Sequence, residues 1–395
     1  MIFHSPANAG AELLNTARCI AREVAAPHAA AVDTDARFPV ETLRALRQAR
    51  LLSAQLPSAL GGVGLGMREL GDIVSALAEC CAASAMVLAM HYNQVACLVR
   101  HADGNAAIEA FLLRLAGEQL LVASMTSEVG TSGDMRRSVC AVECDKEEFR
   151  LEKEATTASY CAHADAILVT ARRHPDAAPS DQVLVLVRRD QCSLTQTSEW
   201  DTLGMRGTCS PGFRLIASGP VDQILPSFGD IATRSMVPYS HILWSALWTG
   251  IAAGAFQKAG AFVRQQARAT PGNVPSGAFR HAAPSADLQP LPHNWEVAAQ
   301  FFDQTVADGR DASVFSTLQW ALRMNNLKIA SSEAAPQVVH AALQVIGVLR
   351  YKKHSPFSVG REYRDVLSGA LMVSNDRPGA ASASLLLISK EGAAR

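Results

Sequence analysis

The spacing of apolar residues changes twice along the chain, and this order constrains the fold more than any other feature. From Asn8 to about Gly117 the spacing is helical; after about residue 120 short β-branched or alternating runs take over; from about Ser240 helical spacing returns and persists. Helices, then strands, then helices is not the order of an alternating α/β sheet. It predicts an α+β multidomain chain with an N-terminal α-helical domain (residues 1–120), a middle antiparallel β domain built as a small barrel or sandwich (121–235), and a C-terminal four-helix-bundle-like domain (236–395). A length of 395 residues agrees, because a single core seldom organises more than about 250–300.

Within the first part, Pro39 stands where a first helical turn tolerates it, followed by Val40, Leu43 and Leu46. Leu70, Ile73, Val74 and Leu77 form a second stripe, and LPSALGGVGLG between them reads as loop. In the middle part FRLEKE, ADAILVTAR, DQVLVLVRR and GFRLIASG read as strands. The apolar run 242–256, ILWSALWTGIAAGAF, is shorter than the ~20 residues of a membrane span and reads as a buried helix. Gly250 and Gly254 in it would admit a second helix closely. The segment 270–293 holds five prolines and no period, which predicts a functional or disordered loop.

A net charge of -1 and a pI near 6.8, with no Lys/Arg run, exclude nucleic acid and anionic membrane as natural partners. The nine cysteines form no CxxC pair and the eleven histidines no HExxH, so no metal site is expected. MIFHSPANAGAELL is not a basic segment followed by an apolar one; with unpaired cysteines this predicts a cytoplasmic protein.

The stretch SMTSEVGTSGD, 124–134, follows the apolar run LLVA. Clustered main-chain N–H groups in a Gly-rich turn make an anion-binding concavity, and neighbouring hydroxyls can serve carbonyl oxygens. A plain Ser/Thr/Gly turn has the same composition.

Together with the three-part order, these residues resemble the acyl-CoA dehydrogenase family of flavoproteins. SEVGTSGD is similar to the family's T-E-P-G-A-G-S-D loop, in which Glu128, Gly130 and Asp134 match and Gly133 replaces a Ser. LGMRGTCS, 203–210, resembles L-G-x-R-G-[ST]. The segment from Arg268 to Gly272 is similar to R-x-x-F-G, and that from Gln344 to Gly347 to Q-x-x-G-G-x-G, with Val348 and Arg350 replacing the later glycines. The resemblance implies FAD held by Met125, Ser127, Gly130, Ser132, Gly133, Thr157, Ser159 and Asn375, completed across a homodimer or homotetramer interface by Arg268, Gln344 and Gly347. Ala155 stands where dehydrogenases carry a Trp over the flavin.

The catalytic pattern departs from the family. Arg361 to Asp365 resembles E-R-x-x-R-D, and counting on from it puts Val373, Ser374 and Asn375 at the family's E-G-T, whose Glu is the base. The alternative base position, near Trp244, has no carboxylate either. Asp376, three residues on, and His91, on a helix with Leu88, Val95 and Leu98, are the candidate catalytic groups; a histidine on an apolar face is also a common core residue. The first expectation is therefore α,β-dehydrogenation of an acyl thioester, on CoA or a carrier protein, with electron-transfer flavoprotein as acceptor. The second is a two-component monooxygenase, fed reduced flavin by a reductase and hydroxylating a small molecule. His91, Ser159 and WDTLGMRGTCS resemble that branch, which lacks the dehydrogenase Glu. A catalytically silent acyl-ligand-binding homologue is the third.

Overall fold

A computed structural model describes residues 6–102, 104–348 and 351–388. Arg350, where the sequence departs from the adenine-end motif, lies outside the described residues.

Helix α1 (Pro6–Ile20) runs through a π-turn into α2 (Ala26–Thr34), and α3 (Val40–Gln48), α4 (Met67–Ala78), α5 (Ala82–His101) and α6 (Ala106–Glu118) complete the first helical part. The stripe Leu70, Ile73, Val74 and Leu77 is buried on α4. The first N–H groups of α4, at Met67 and Arg68, donate to the carboxylate of Asp303 at 2.7 and 3.0 Å, so a distant residue serves as its cap. Helix α5 is long and apolar enough to cross a membrane, and it is almost wholly buried inside the molecule.

Strands β1 (Val122–Met125), β2 (Glu143–Asp145), β3 (Glu148–Ala155), β4 (Ala166–Arg172), β5 (Gln182–Arg188), β6 (Cys192–Gln196), β7 (Phe213–Pro220) and β8 (Ile224–Leu225) form two sheets, ordered β1-β4-β5-β8 and β2-β3-β7-β6. The four runs read as strands are β3, β4, β5 and β7. One pairing departs from the antiparallel expectation: β1 lies parallel to β4, with Val122 opposite Ala166. The long connection between them, residues 126–165, carries the chain back to the same end, as a parallel pair requires.

The C-terminal part contains α7 (Phe228–Ile231), α8 (Val237–Ala269), α9 (Ser276–Leu288), α10 (Pro290–Ala307), α11 (Asp311–Val314), α12 (Leu318–Ile346), α13 (Gly360–Val366), α14 (Ser368–Leu371) and α15 (Asp376–Ile388). The long helices α8 and α12 run the same way: His241 meets Met324 near their starts, and Gly277 of α9 sits near Gln266 and Val345 at their far ends. Gly250 and Gly254 admit the end of α4, since a Cβ there would lie 2.2 Å from Ser75 O or 2.4 Å from Glu79 O.

The loop expectation for 270–293 is corrected, since most of the segment is α9 and the start of α10. Four of its five prolines occupy places a helix tolerates: Pro271 lies outside, Pro275 precedes α9, and Pro290 and Pro292 fall in the first turn of α10. Only Pro284 is internal to a helix. Proline frequency was read as loop, whereas proline position decides.

Candidate functional site

A cavity of ≈ 600 Å³ opens where the three parts meet. Its walls differ in chemistry. The β part supplies hydroxyls from Ser124, Thr126, Thr157, Ser159, Thr208 and Ser210. The helices and the intervening loops supply an apolar wall that includes six of the ten methionines (Met86, Met90, Met135, Met205, Met236 and Met372) with Trp200 and Trp244. Flexible, polarizable thioethers of this kind adapt to apolar and aromatic ligands.

Strand alternation positions the hydroxyl wall. Ser124 and the residue after β1, Thr126, face the cavity, while Met125 between them is wholly buried in the core. The hydroxyls of Ser124, Thr126 and Thr157 make no hydrogen bond within the chain, which leaves them available to a ligand. Ser159, Ser210 and Thr208 are linked to one another, at 2.9 Å between Ser210 and Ser159 and 2.8 Å between Thr208 and Ser210.

The Gly-rich loop is anchored from beneath by Glu128. Its carboxylate is buried and accepts from Ser138 Oγ (2.7 Å), Val139 N (3.1 Å), Cys140 N (2.5 Å) and Lys153 Nζ (3.2 Å). Lys153 points inward from the buried face of β3 and also donates to Thr170 O at 2.7 Å. Ser127 Oγ donates to Thr157 O at 2.5 Å and accepts from Thr157 N at 3.2 Å, stitching the loop to the chain after β3. Gly130, Ser132 and Gly133 are exposed and have positive φ; Arg377 donates to the carbonyls of Ser132 and Gly133. The loop thus borders the cavity through Thr126 and Met135 and meets the C-terminal helices through Arg377.

The turn 203–210 closes another side. Arg206 Nε donates to Asp33 O at 2.8 Å, and Met205 N to the Asp365 carboxylate at 2.6 Å. Arg364 lines the cavity with its guanidinium already engaged by Asp33 and, at 2.8 Å, by Leu203 O. Burial raises the Asp365 carboxyl to about 7. Among the described lining residues there is no carboxylate, and Val373 occupies the wall where the dehydrogenase base was looked for.

Two histidines show what sequence alone could not separate. His91 does not line the cavity: its Nε2 donates to Leu52 O (2.7 Å) and its Nδ1 accepts from Val122 N (3.1 Å). Both nitrogens are spent on backbone, and burial lowers its pKa to about 4, so this expected catalytic residue lies away from the cavity wall. His241 lines the cavity instead. Its Nδ1 lies 3.1 Å from Met324 O, and a carbonyl only accepts, so Nδ1 carries the proton and Nε2 keeps a free lone pair. Burial lowers this imidazole to about 4 as well, so it is neutral at pH 7.

The other expected residues fall into three groups. Thr157 and Ser159 line the cavity, and Ser127 stands beside it. Asp376 is exposed at the start of α15 and does not line the cavity, and Asn375 is held by Lys328 Nζ at 2.5 Å and Ser332 Oγ at 3.2 Å. Arg268, Gln344 and Gly347 gather at the far ends of α8 and α12, about 30–40 Å from His241 at 1.5 Å per helical residue. They cannot reach the cavity of their own chain. His241, Gln94, Ser124 and Thr126 were not singled out from sequence. The available signals were a His one helical turn before Trp244, on the same face, and the alternation of β1.

The acyl-CoA dehydrogenase N-terminal domain family matches residues 9–119. L-evernosamine nitrososynthase of Micromonospora sp. is 27% identical over 363 residues, covering 86% of this chain and 81% of that protein. Cyclohex-1-ene-1-carbonyl-CoA dehydrogenase of Geobacter metallireducens is 25% identical over 367 residues, covering 89% and 90%. Among solved structures, dibenzothiophene monooxygenase (TdsC) of Paenibacillus sp. A11-2 superposes with a TM-score of 0.80 at 17% identity, covering 95% of this chain and 97% of that one. Residues 9–119 thus match the acyl-CoA dehydrogenase N-terminal domain family, and the chain as a whole shares the helix–sheet–helix fold of the solved structures on which it superposes.

Proposed function

We propose that the protein is a reduced-flavin-dependent oxygenase that inserts one atom of O₂ into a small apolar substrate and releases the other as water. The observation that carries this reading is the cavity's acid–base content. No described lining residue is a carboxylate, and Val373 cannot abstract the α-proton on which thioester dehydrogenation depends. An oxygenase of this kind draws its electrons from flavin rather than from the substrate's C–H bonds, and so does not need that base. Relatives whose names denote nitrososynthases and a monooxygenase support the choice.

The residues present fit a flavin. Free hydroxyls at Ser124, Thr126 and Thr157 could serve the carbonyl and N–H groups of a flat heterocycle, and the apolar wall could pack against its rings. The exposed, Gly-rich turn Gly130–Gly133, with positive φ at Gly130, Ser132 and Gly133, suits the phosphate. FMN is the proposed form, because Val348 replaces a glycine in the turn that would receive the adenine of a second subunit's FAD; TdsC is also solved with FMN. When bound, reduced flavin supplies two electrons and activates O₂. The chain's part is to orient the ring by the hydroxyl wall, exclude water with methionine and tryptophan, and hold the substrate against the ring. A reductase partner, assembly into a homodimer or homotetramer, and a cytoplasmic setting belong to the same reading.

The test has two arms. Oxidised FMN-loaded protein mixed anaerobically with butyryl-CoA should keep its visible flavin absorbance. Chemically reduced FMN, protein, O₂ and indole should give an oxygenated indole product, absent without protein. Bleaching by butyryl-CoA, with no product in the second arm, would reverse the assignment in favour of dehydrogenation.

A further inference from the structure

The wall of the cavity carries buried polar atoms that the protein leaves unpaired, at His241, Gln94 and Trp244, and the first two are the ones able to accept a hydrogen bond. His241 presents Nε2, whose lone pair the hydrogen bond from Nδ1 to Met324 O keeps free. Gln94, on α5, is buried, lines the same cavity and makes no hydrogen bond through either end of its amide. Gln55, Gln119 and Gln182 also leave Oε1 unpaired, but each is anchored through Nε2, to Tyr92 O, to Ser53 Oγ and Ala116 O, and to Met135 O. Gln94 differs in having no such anchor. Its neighbour Asn93 donates to Met236 O at 3.1 Å, which ties this turn of α5 to the start of α8, where His241 lies.

We infer that His241 and Gln94 form the substrate-recognition pair, and that the substrate is an uncharged, largely apolar small molecule carrying an N–H or O–H group. A lone pair fixed by tautomer is satisfied only by a donor. The reacting end of an acyl thioester has a carbonyl and C–H bonds but no donor, so it would leave Nε2 unpaired. Among the described lining residues there is no unengaged Lys or Arg for an anionic substrate, because Arg364 is already paired with Asp33. Around the pair, the methionine wall accepts a planar or irregular apolar body. Gln94, able to accept or donate, would hold a second polar atom of the same molecule or the same donor from the side.

This inference rests on the cavity being the reaction chamber, but binding tests it without flavin or turnover. Indole is the probe, and 1-methylindole, nearly the same in shape without the N–H, is the control. Both are titrated against protein without flavin and then with oxidised FMN, following the quenching of tryptophan fluorescence and confirming by calorimetry. The wild type should bind indole about tenfold more tightly than 1-methylindole, the ratio expected for one buried hydrogen bond. His241→Phe should reduce that ratio to about one while still binding 1-methylindole, which shows that the cavity is intact. His241→Gln, which keeps an acceptor, should recover part of the preference, and Gln94→Leu should weaken indole more than 1-methylindole. Equal binding of the two probes by the wild type, or a preference undiminished in His241→Phe, would overturn the inference. If indole is preferred but FMN does not bind, the recognition pair stands and the oxygenase reading falls. If FMN binds and the probes are not distinguished, the reverse holds.

Discussion

Replacing Lys153 by Met tests whether the Gly-rich loop is held by a buried ion pair. Lys153 and Glu128 are both almost fully buried, 3.2 Å apart, and two unit charges at that distance interact by about 5 kcal/mol at an effective dielectric of ~20. Breaking such a pair by removing one partner costs about 3–5 kcal/mol, because the other charge stays buried. Here Glu128 keeps three further donors, from Ser138, Val139 and Cys140, so the lower end, about 3 kcal/mol, is expected. Glu128→Gln should cost a similar amount for a different reason. All four groups around the carboxylate are donors, and a Gln amide would turn its own NH₂ toward one of them. The double variant should cost less than the two singles added together, with a coupling of about 2 kcal/mol. Urea unfolding followed by circular dichroism gives all four stabilities. Single variants within about 0.5 kcal/mol of wild type, or strictly additive costs, would refute the anchoring.

Three further outcomes are expected. His91→Phe should destabilise by about 2–4 kcal/mol, since Leu52 O and Val122 N would both lose their partner, yet the folded fraction should bind indole as the wild type does. Asp376→Asn should leave turnover within about twofold of wild type in the reduced-FMN assay, because an exposed residue outside the cavity contributes little to the reacting groups. Burial lowers Lys328 to about 8 from 10.5, so between those values the unfolded chain binds more protons and stability should rise with pH; comparing thermal unfolding across that range, Lys328→Met should lack this rise.

The architecture was legible because it rests on period alone. The stripe of α4, the four main strands and the long apolar helix α8 each bury what their spacing says they should. The parallel β1–β4 pair was not legible, since strand direction depends on where a long connection returns. The site was legible where it lies in loops with a sequence motif: the 124–134 loop, the 203–210 turn, and Thr157 and Ser159 after β3 all border the cavity. His91 and His241 both sit on largely buried helices, and nothing in their flanking residues distinguishes them. The difference lies in tertiary partners, two for His91 and one for His241. Asp376 drew notice by its distance in sequence from Asp365, but the start of α15 takes its side chain to the surface. Arg268 and Gln344 carry family-like motifs that no single chain brings to its own cavity.

Val373 puts an apolar side chain on the cavity wall at the place where the resemblance leads one to expect a base. The residue lines the cavity with φ at 48°, a conformation that costs a non-glycine residue about 1–2 kcal/mol and is especially poor for a β-branched one. The surrounding segment holds it there: Lys328 Nζ donates to Val373 O at 3.0 Å and to Asn375 Oδ1, and Asn375 N donates to Ala370 O at 3.1 Å. The wall at this point is therefore braced, and what has changed is the side chain it presents. Arg364, the one arginine among the described lining residues, is already committed to Asp33. With an apolar side chain at this point of the wall, the free lone pair of His241 is left as a polar feature around which a substrate can be held.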